Sequence, residues 1–237
     1  MKSWMANLFV NKIRKAIDDY DMIKPGDRIL VGVSGGKDSS LLLYALHALS
    51  HYKIYDFKVM GLTVDHGLIG NLDAYVKHCE THKIPHAVYK EHYAVDLAHG
   101  QSHPPCYTCS RLRKGIIKRY ALENGYNKIA LGHTQDDLVE TFFMNIIQHG
   151  KLATMPPVST IEAEVTMIRP LMYLDERSII KSIEYLAFPL MMDTCTFAEN
   201  RLRSRADALI REIELTVPHF SDKVIQALGN IDHERLL

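Results

Sequence analysis

The chain has 237 residues, 47% of them hydrophobic, which suits one large domain, or one domain with a helical appendage, and excludes a disordered chain. Lys+Arg and Asp+Glu number 28 each, so the formal net charge is zero and only a local basic patch could hold a nucleic acid. The apolar runs are far short of a membrane span, and Met1 to Leu8 lacks a signal-peptide core. A cytoplasmic protein with no membrane contact is expected.

In chain order, the apolar spacing of Leu8, Val10, Ile13, Ala16 and Ile17 predicts a helix over 8–20. Pro25-Gly26-Asp27 is a turn, and Arg28 to Val33 reads as a buried parallel strand. A Leu-rich helix follows over 39–49, then a strand over 58–64 that ends at Asp65-His66-Gly67. Next come a helix near 71–82, a strand near 87–89 and a polar stretch carrying Cys106-Tyr107-Thr108-Cys109. A helix near 111–123, a strand over 128–133 and a helix near 137–148 complete the alternation. Strands alternating with helices predict an α/β fold with a doubly wound parallel sheet. Beyond Gly150 the pattern changes: Met155-Pro156-Pro157 is a loop, Val165 to Pro170 an edge strand, and helices follow near 175–187 and 198–216, then a short one. The division expected is an N-terminal helical segment (1–24), a nucleotide-binding domain (25–190) and a C-terminal helical extension (191–237).

Ser34-Gly35-Gly36-Lys37-Asp38-Ser39 lies between a predicted strand and a predicted helix. Glycines allow tight turns and let backbone N–H groups approach a ligand, and a helix N-terminus favours an anion. Lys37 adds a full charge, and the serines add hydroxyls. Val31 stands where a Walker A loop has its first glycine, and Asp38 follows Lys37 where Ser or Thr belongs, which disfavours a plain kinase or GTPase.

Asp136 and Asp137 open a helix, where acids serve as caps. Two basic clusters, Arg111, Arg113 and Lys114 with Lys118 and Arg119, and Arg201, Arg203, Arg205 and Arg211, could hold an RNA backbone. Of the four cysteines, Cys79 falls on an apolar helical face and reads as core. Cys106 and Cys109 have a Cys-x-x-Cys spacing open to redox, zinc or chance. With Cys195 they supply three thiolates, enough for a [4Fe–4S] cluster with one iron left open.

The run from Gly26 to Ser39 resembles the PP-loop ATPase superfamily. That resemblance implies an adenine nucleotide alpha hydrolase-like sheet, ATP split to AMP and pyrophosphate, and an adenylated substrate. It places ATP on Ser34, Gly35, Gly36, Lys37, Asp38 and Ser39, with Asp65, Gly132 and His133 near the nucleoside. Gly132 to Thr141 resembles the second signature, in which Asp137 helps hold Mg²⁺, with Asp38 a further candidate; Lys37, Asp38 and Asp137 are the expected catalytic residues. Residues 11–192 are similar to the tRNA 2-thiocytidine synthetase (TtcA) family. The matching stretches are Asp21-Met22-Ile23, Cys106 to Gly115, Gly150-Lys151-Leu152, Met155-Pro156-Pro157, Ile168-Arg169-Pro170-Leu171 and Phe188-Pro189. The implied activity is ATP-dependent tRNA thiolation at a cytidine of the anticodon loop, with ATP, Mg²⁺ and a [4Fe–4S] cluster on Cys106, Cys109 and Cys195. The implied partners are tRNA, a sulfur donor such as a cysteine desulfurase, and a second copy in a homodimer. In place of the family's second Cys-x-x-Cys-Gly, Met192 to Thr196 carries one cysteine, and Val64 to Gly67 looks more like the lysidine ligases. The alternatives are a lysidine-type ligase, a thiolase for another tRNA base, and a nucleotide- or RNA-binding protein without turnover.

Overall fold

Four of the six residues from Arg28 to Val33 are Ile, Leu or Val, too many for a strand with one wet face. They form β1 (Asp27–Val33), paired on both sides within a six-stranded sheet. The computed structural model describes residues 6–52, 55–67, 69–91, 93, 105–162, 165–193 and 201–235. For Ala6, Asn7, Pro105, Cys106, Glu162, Met192, Asp193 and 201–204 it describes the backbone alone.

The other strands of the sheet are β2 (Phe57–Asp65), β4 (His86–Lys90), β5 (Lys128–Ala130), β6 (Val158–Glu162) and β7 (Val165–Ile168), in the order β4-β2-β1-β5-β7-β6. All pairings are parallel except that of β6 with β7. A separate two-residue ribbon joins β3 (Ile69–Gly70) to β8 (Met192–Asp193). The helices are α1 (Asn11–Asp19), α2 (Lys37–Ser50), α3 (Leu72–Thr81), α4 (Pro105–Glu123), α5 (Gln135–His149), α6 (Glu176–Leu186), α7 (Arg201–Thr216) and α8 (Phe220–Leu228).

The pleat of β1 sorts its side chains by face. Ile29, Val31 and Val33 enter the larger core with α1, α2, α3 and α6, while Leu30 meets Ile116, Ile117 and Ala121 of α4 on the other face. The expected doubly wound architecture is thus the observed one. Each fully buried Ile or Leu contributes about 1.5–3 kcal/mol, so this strand anchors the loop that follows it. The order in which the chain adds its parallel strands reverses beside β1: β2 and β4 lie on one side, β5 and β7 on the other. The crevice at the carboxyl ends of β1 and β5 is therefore the switch point at which open α/β sheets take ligands.

Several expectations need correcting. Val165–Ile168 is not an edge strand; it lies between β5 and β6, and the edge is Val158–Glu162, whose mixed Val-Ser-Thr-Ile-Glu sequence hides a strand with one polar face. The helix expected from Arg111 begins at Pro105, so the Cys-x-x-Cys lies within its first two turns; proline is well suited to a first helical turn. The helix expected from Ser39 begins at Lys37, and the predicted 8–20 helix starts as a π-helical turn over Ala6–Val10. The last helices pack on α5, where Val139 meets Ile210 and Val224.

Candidate active site

The chain leaves β1 through Ser34 and turns at Gly35, whose φ is +83°. A β-carbon there would collide with the Met191 side chain, and the Gly35 carbonyl accepts from the Met191 N–H at 3.0 Å. Only glycine fits such a conformation without strain. Gly36 is the N-cap of α2 and offers no side-chain acceptor, so the first N–H groups of the helix are available to an anion. Side-chain hydroxyls hold the turn. The Ser34 N–H donates to Ser39 Oγ at 3.1 Å, Ser34 Oγ lies 3.1 Å from Ser39 Oγ, and Ser39 and Ser40 both donate to the Gly36 carbonyl, at 3.2 and 2.9 Å.

Lys37 and Asp38 are the first two residues of α2. The Lys37 Nζ sits 3.4 Å from Asp38 and 3.0 Å from Glu176, the first residue of α6. Burial works against the Lys37 ammonium, but Asp38 and Glu176 together raise its pKa. Burial raises the Asp38 carboxyl, Lys37 opposes, and Asp137 adds to the rise. Asp38 Oδ1 is buried and has no hydrogen-bond partner. A carboxylate oxygen in that state is suited to a cation.

The exit of β5 closes on the same helix end. A β-carbon on Gly132 would lie 3.0 Å from the Asp38 carbonyl carbon and the Ser39 nitrogen, so only a glycine lets the two segments meet. Thr134 caps α5, and Asp137 completes a capping box: its Oδ2 accepts from the Thr134 N–H at 2.8 Å and from Thr134 Oγ1 at 3.1 Å. Asp136 accepts from the Glu176 N–H at 2.8 Å, and burial raises its pKa. Between these acids His133 is held by Arg169, whose Nε donates to His133 Nδ1 at 3.1 Å. That bond makes Nδ1 the acceptor and leaves the proton of a neutral ring on Nε2. Arg169 is itself buried, with further donors to the Pro156 carbonyl and Ser159 Oγ.

Beside this crevice, at the carboxyl end of β2, the Asp65 carboxylate accepts from the Gly67 N–H at 3.0 Å, and the ring of buried His66 lies 6.0 Å from that of Tyr93. Half-buried Cys109 lies next to them, its Sγ 3.8 Å from the Tyr93 hydroxyl and 3.9 Å from Arg113 Nη2. Burial, with Cys109 second, pushes the Tyr93 hydroxyl up to about 12.

The phosphate loop, Gly132, His133, Asp137, Asp65 and Cys109 thus all lie toward the carboxyl edge of the sheet. Cys106 is one turn before Cys109 on α4, with its backbone alone described. Cys195 lies outside the described residues. Among the described residues no three His, Cys, Asp or Glu side chains gather closely enough to hold a metal. Cys79 is buried in the larger core, its thiol pushed up to about 11 by burial, as expected of a structural cysteine. Of the RNA candidates, Arg111 and Lys114 are exposed on α4 and Arg205 on α7; the Arg111 guanidinium lies 5.7 Å from the ring centre of exposed Tyr107. Arg203 is described by its backbone only. Arg113 differs from its neighbours, because it is turned onto Cys109.

Glu176, Tyr93, Arg113 and Arg169 are absent from the sites expected from sequence as partners of Lys37, Cys109 and His133. An acid at a helix start is an ordinary cap signal; nothing in the spacing of Tyr93 marks a thiol neighbour, and the four-residue spacing of Arg113 from Cys109 signals one only when the helix starts at Pro105 rather than near Arg111. For Arg169 the signal was its place between Ile168 and Pro170, an unusual site for a charge.

A PP-loop domain model matches residues 5–207. The chain belongs to the PP-loop family. Within it, the chain groups with proteins named tRNA-cytidine(32) 2-sulfurtransferase. That of Legionella pneumophila (strain Corby) is 37% identical over 230 residues, 94% of this chain and 81% of the relative. That of Coxiella burnetii (strain Dugway 5J108-111) is 35% identical, covering 96% of this chain and 91% of the relative. Among solved structures, this PP-loop protein is similar to the U34-tRNA thiolase NcsA from Methanococcus maripaludis with its [4Fe-4S] cluster. The TM-score is 0.81 and the identity 24%, over 98% of this chain and 82% of that one. It is also similar to the NH3-dependent NAD synthetase from Campylobacter jejuni, with a TM-score of 0.55 and 14% identity, over 97% and 93% of the two chains. These likenesses show the PP-loop fold. Among the described residues no helix is long and apolar enough to cross a membrane.

Proposed function

We propose that this protein is an ATP-dependent tRNA sulfurtransferase that converts a cytidine of the anticodon loop to 2-thiocytidine. The observation that carries the reading is a phosphate loop and a Cys-x-x-Cys helix start on one edge of one sheet, in a chain 37% identical to tRNA-cytidine(32) 2-sulfurtransferases.

In the first step the carbonyl oxygen of the base attacks the α-phosphorus of ATP. An oxygen–phosphorus bond forms, the bond to the bridging oxygen breaks, and pyrophosphate leaves. In the second, sulfur at the sulfide level adds to the activated carbon, AMP departs with the original oxygen, and the sulfur's proton goes to solvent. The N–H groups of the loop and the α2 start would bind the phosphates, and Lys37 would leave Glu176 and Asp38 to follow the charge that moves onto pyrophosphate. His133, its Nδ1 occupied by Arg169, would present Nε2–H toward the nucleotide.

Mg²⁺ fits Asp38 Oδ1, a buried oxygen without a partner, and Asp38 and Asp137 would hold it; when bound it neutralises phosphate charge. A [4Fe–4S] cluster fits the thiol set, since the Cys109 sulfur accepts from Arg113 and has the Tyr93 hydroxyl beside it, able to donate to an anionic ligand. Cys106, Cys109 and Cys195 would hold it, and its chemistry is to offer an open iron for sulfur. Arg111, Lys114, Arg203 and Arg205 would face the tRNA phosphates. The sulfur comes from a donor such as a cysteine desulfurase, and the protein works in the cytoplasm as a homodimer.

Nucleoside mass spectrometry of tRNA incubated with the anaerobically purified protein, ATP, Mg²⁺ and sulfide tests this. The expected product is 2-thiocytidine, with AMP and pyrophosphate. Lysidine formation from added lysine, a thiolated uridine, or no AMP release at all would each replace the reading with one of its rivals.

A further inference from the structure

Cys109 is the fifth residue of α4, and Arg113 stands four residues on, on the same helical face. The arginine is directed at the sulfur, with Nη2 3.9 Å from Sγ, and Tyr93 approaches the same sulfur at 3.8 Å. Tyr93 comes from a different part of the chain, just past β4, and is braced by its ring contact with buried His66. A further feature makes the arrangement unusual. Arg113 Nε is buried and has no hydrogen-bond partner. A donor left in that state costs free energy unless an acceptor completes the site. Arg111, two residues earlier, is exposed and stacked near Tyr107, as a surface arginine would be. The contrast separates a guanidinium available to RNA from one committed to sulfur.

We propose that Tyr93 and Arg113 are positioning residues for Cys109: their O–H and N–H groups converge on its Sγ, fixing where that thiolate sits and how much negative charge it carries as a cluster ligand. The inference rests on the cluster reading given above. Hydrogen bonds to cluster thiolates stabilise the more negative, reduced state and are one of the factors that set its potential. A sulfur stripped of one donor holds more charge and is more readily oxidised. The unpartnered Nε–H of Arg113 is a third donor on the same side, suited to a sulfur atom beyond Cys109 itself.

The test uses full-length protein reconstituted anaerobically with iron and sulfide. Iron content, an electron paramagnetic resonance redox titration and the half-life of the absorbance in air are read for wild type, Tyr93→Phe, Arg113→Gln and Arg113→Lys. Tyr93→Phe removes one oxygen and leaves the ring on His66. The expected result is wild-type iron content, a midpoint shifted negative by about tenfold in the reduction equilibrium (about 59 mV for one electron), and a shorter half-life. Arg113→Gln shifts in the same direction, and Arg113→Lys recovers only part, because the ammonium keeps charge without the fork. Full clusters with an unmoved midpoint in both Tyr93→Phe and Arg113→Gln overturn this inference and leave the cluster reading standing. A wild-type chain that takes up no iron overturns the cluster reading and this inference with it. Should Arg113→Gln not fold, Tyr93→Phe decides alone.

Discussion

The phosphate-loop half of the sheet edge and the cysteine half are built in opposite ways. Around Lys37 the groups are close in sequence, charged and densely bonded. Serines 34, 39 and 40 tie the turn to itself, Asp38 and Glu176 crowd one ammonium, and Asp136 accepts from the Glu176 N–H. Around Cys109 the groups come from residues 66, 93, 109 and 113, include two tilted rings, and make two long contacts to one sulfur. The first half is organised before any ligand arrives. The second holds a buried donor, Arg113 Nε, that lacks an acceptor. The difference fits a division of labour in which the loop activates a carbonyl with ATP and the cysteine side delivers sulfur.

Four perturbations sharpen that contrast, from the largest effect to the smallest. Lys37→Ala should lower pyrophosphate release and thiolation together by about 10²–10³-fold, the usual effect of removing one charge-stabilising donor, with folding unchanged by circular dichroism. Equal loss in both readouts places Lys37 upstream of sulfur delivery. Gly35→Ala introduces a β-carbon at positive φ against Met191. It should destabilise by about 1–3 kcal/mol, seen as a melting temperature lower by about 3–10 °C, and ATP should no longer protect the protein from heat.

The sheet core and the phosphate loop should also separate with pH. Against Tyr75 of α3, His86 of β4 is kept neutral by burial, its pKa lowered to about 4, with Nε2 2.8 Å from Thr63 Oγ1. A depressed histidine contributes stability that is present above its unfolded value and lost as pH falls toward 4. Wild type should therefore lose on the order of 1–2 kcal/mol between pH 6.5 and 4 from this group, and His86→Gln should flatten that slope in urea titrations. On the loop side, Asp38 has the reverse sign. Its raised pKa means that ionisation opposes folding, so stability falls as pH rises through the folded value. Asp38→Asn should raise the melting temperature of ligand-free protein by about 1–3 °C at pH 8 and less at pH 4, while impairing ATP turnover. A larger gain at pH 4 would contradict the stated cause.

The loop half was legible in the sequence because its parts are contiguous. Ser34 to Ser39 supplies turn, charge and helix start in six residues, and β1 reads as buried from its Ile and Val content alone. Gly132 and Asp137 were placed by their motif. Glu176 was not, since it reaches Lys37 only through the α6 start, far along the chain. The cysteine half shows the same limit more strongly. The Cys-x-x-Cys is visible as spacing, but its entry into a helix at Pro105 was masked by the polar residues before it. The approach of Tyr93 depends on how β4 and α4 cross the sheet, and that of Arg113 on the helix reaching back past Cys109. The β6–β7 hairpin was misread for a related reason, because an edge strand with one wet face resembles a loop.

The central claim is that activation and sulfur delivery occupy separate halves of one edge. A rapid-quench measurement of pyrophosphate and of thiolated nucleoside, made on Cys109→Ser with tRNA and ATP, tests it most directly. The account predicts a burst of about one pyrophosphate per active site, on the one-site stoichiometry of adenylation, with no thiolated product. Loss of the burst in a folded, ATP-binding variant, or thiolation at the wild-type rate, would contradict it.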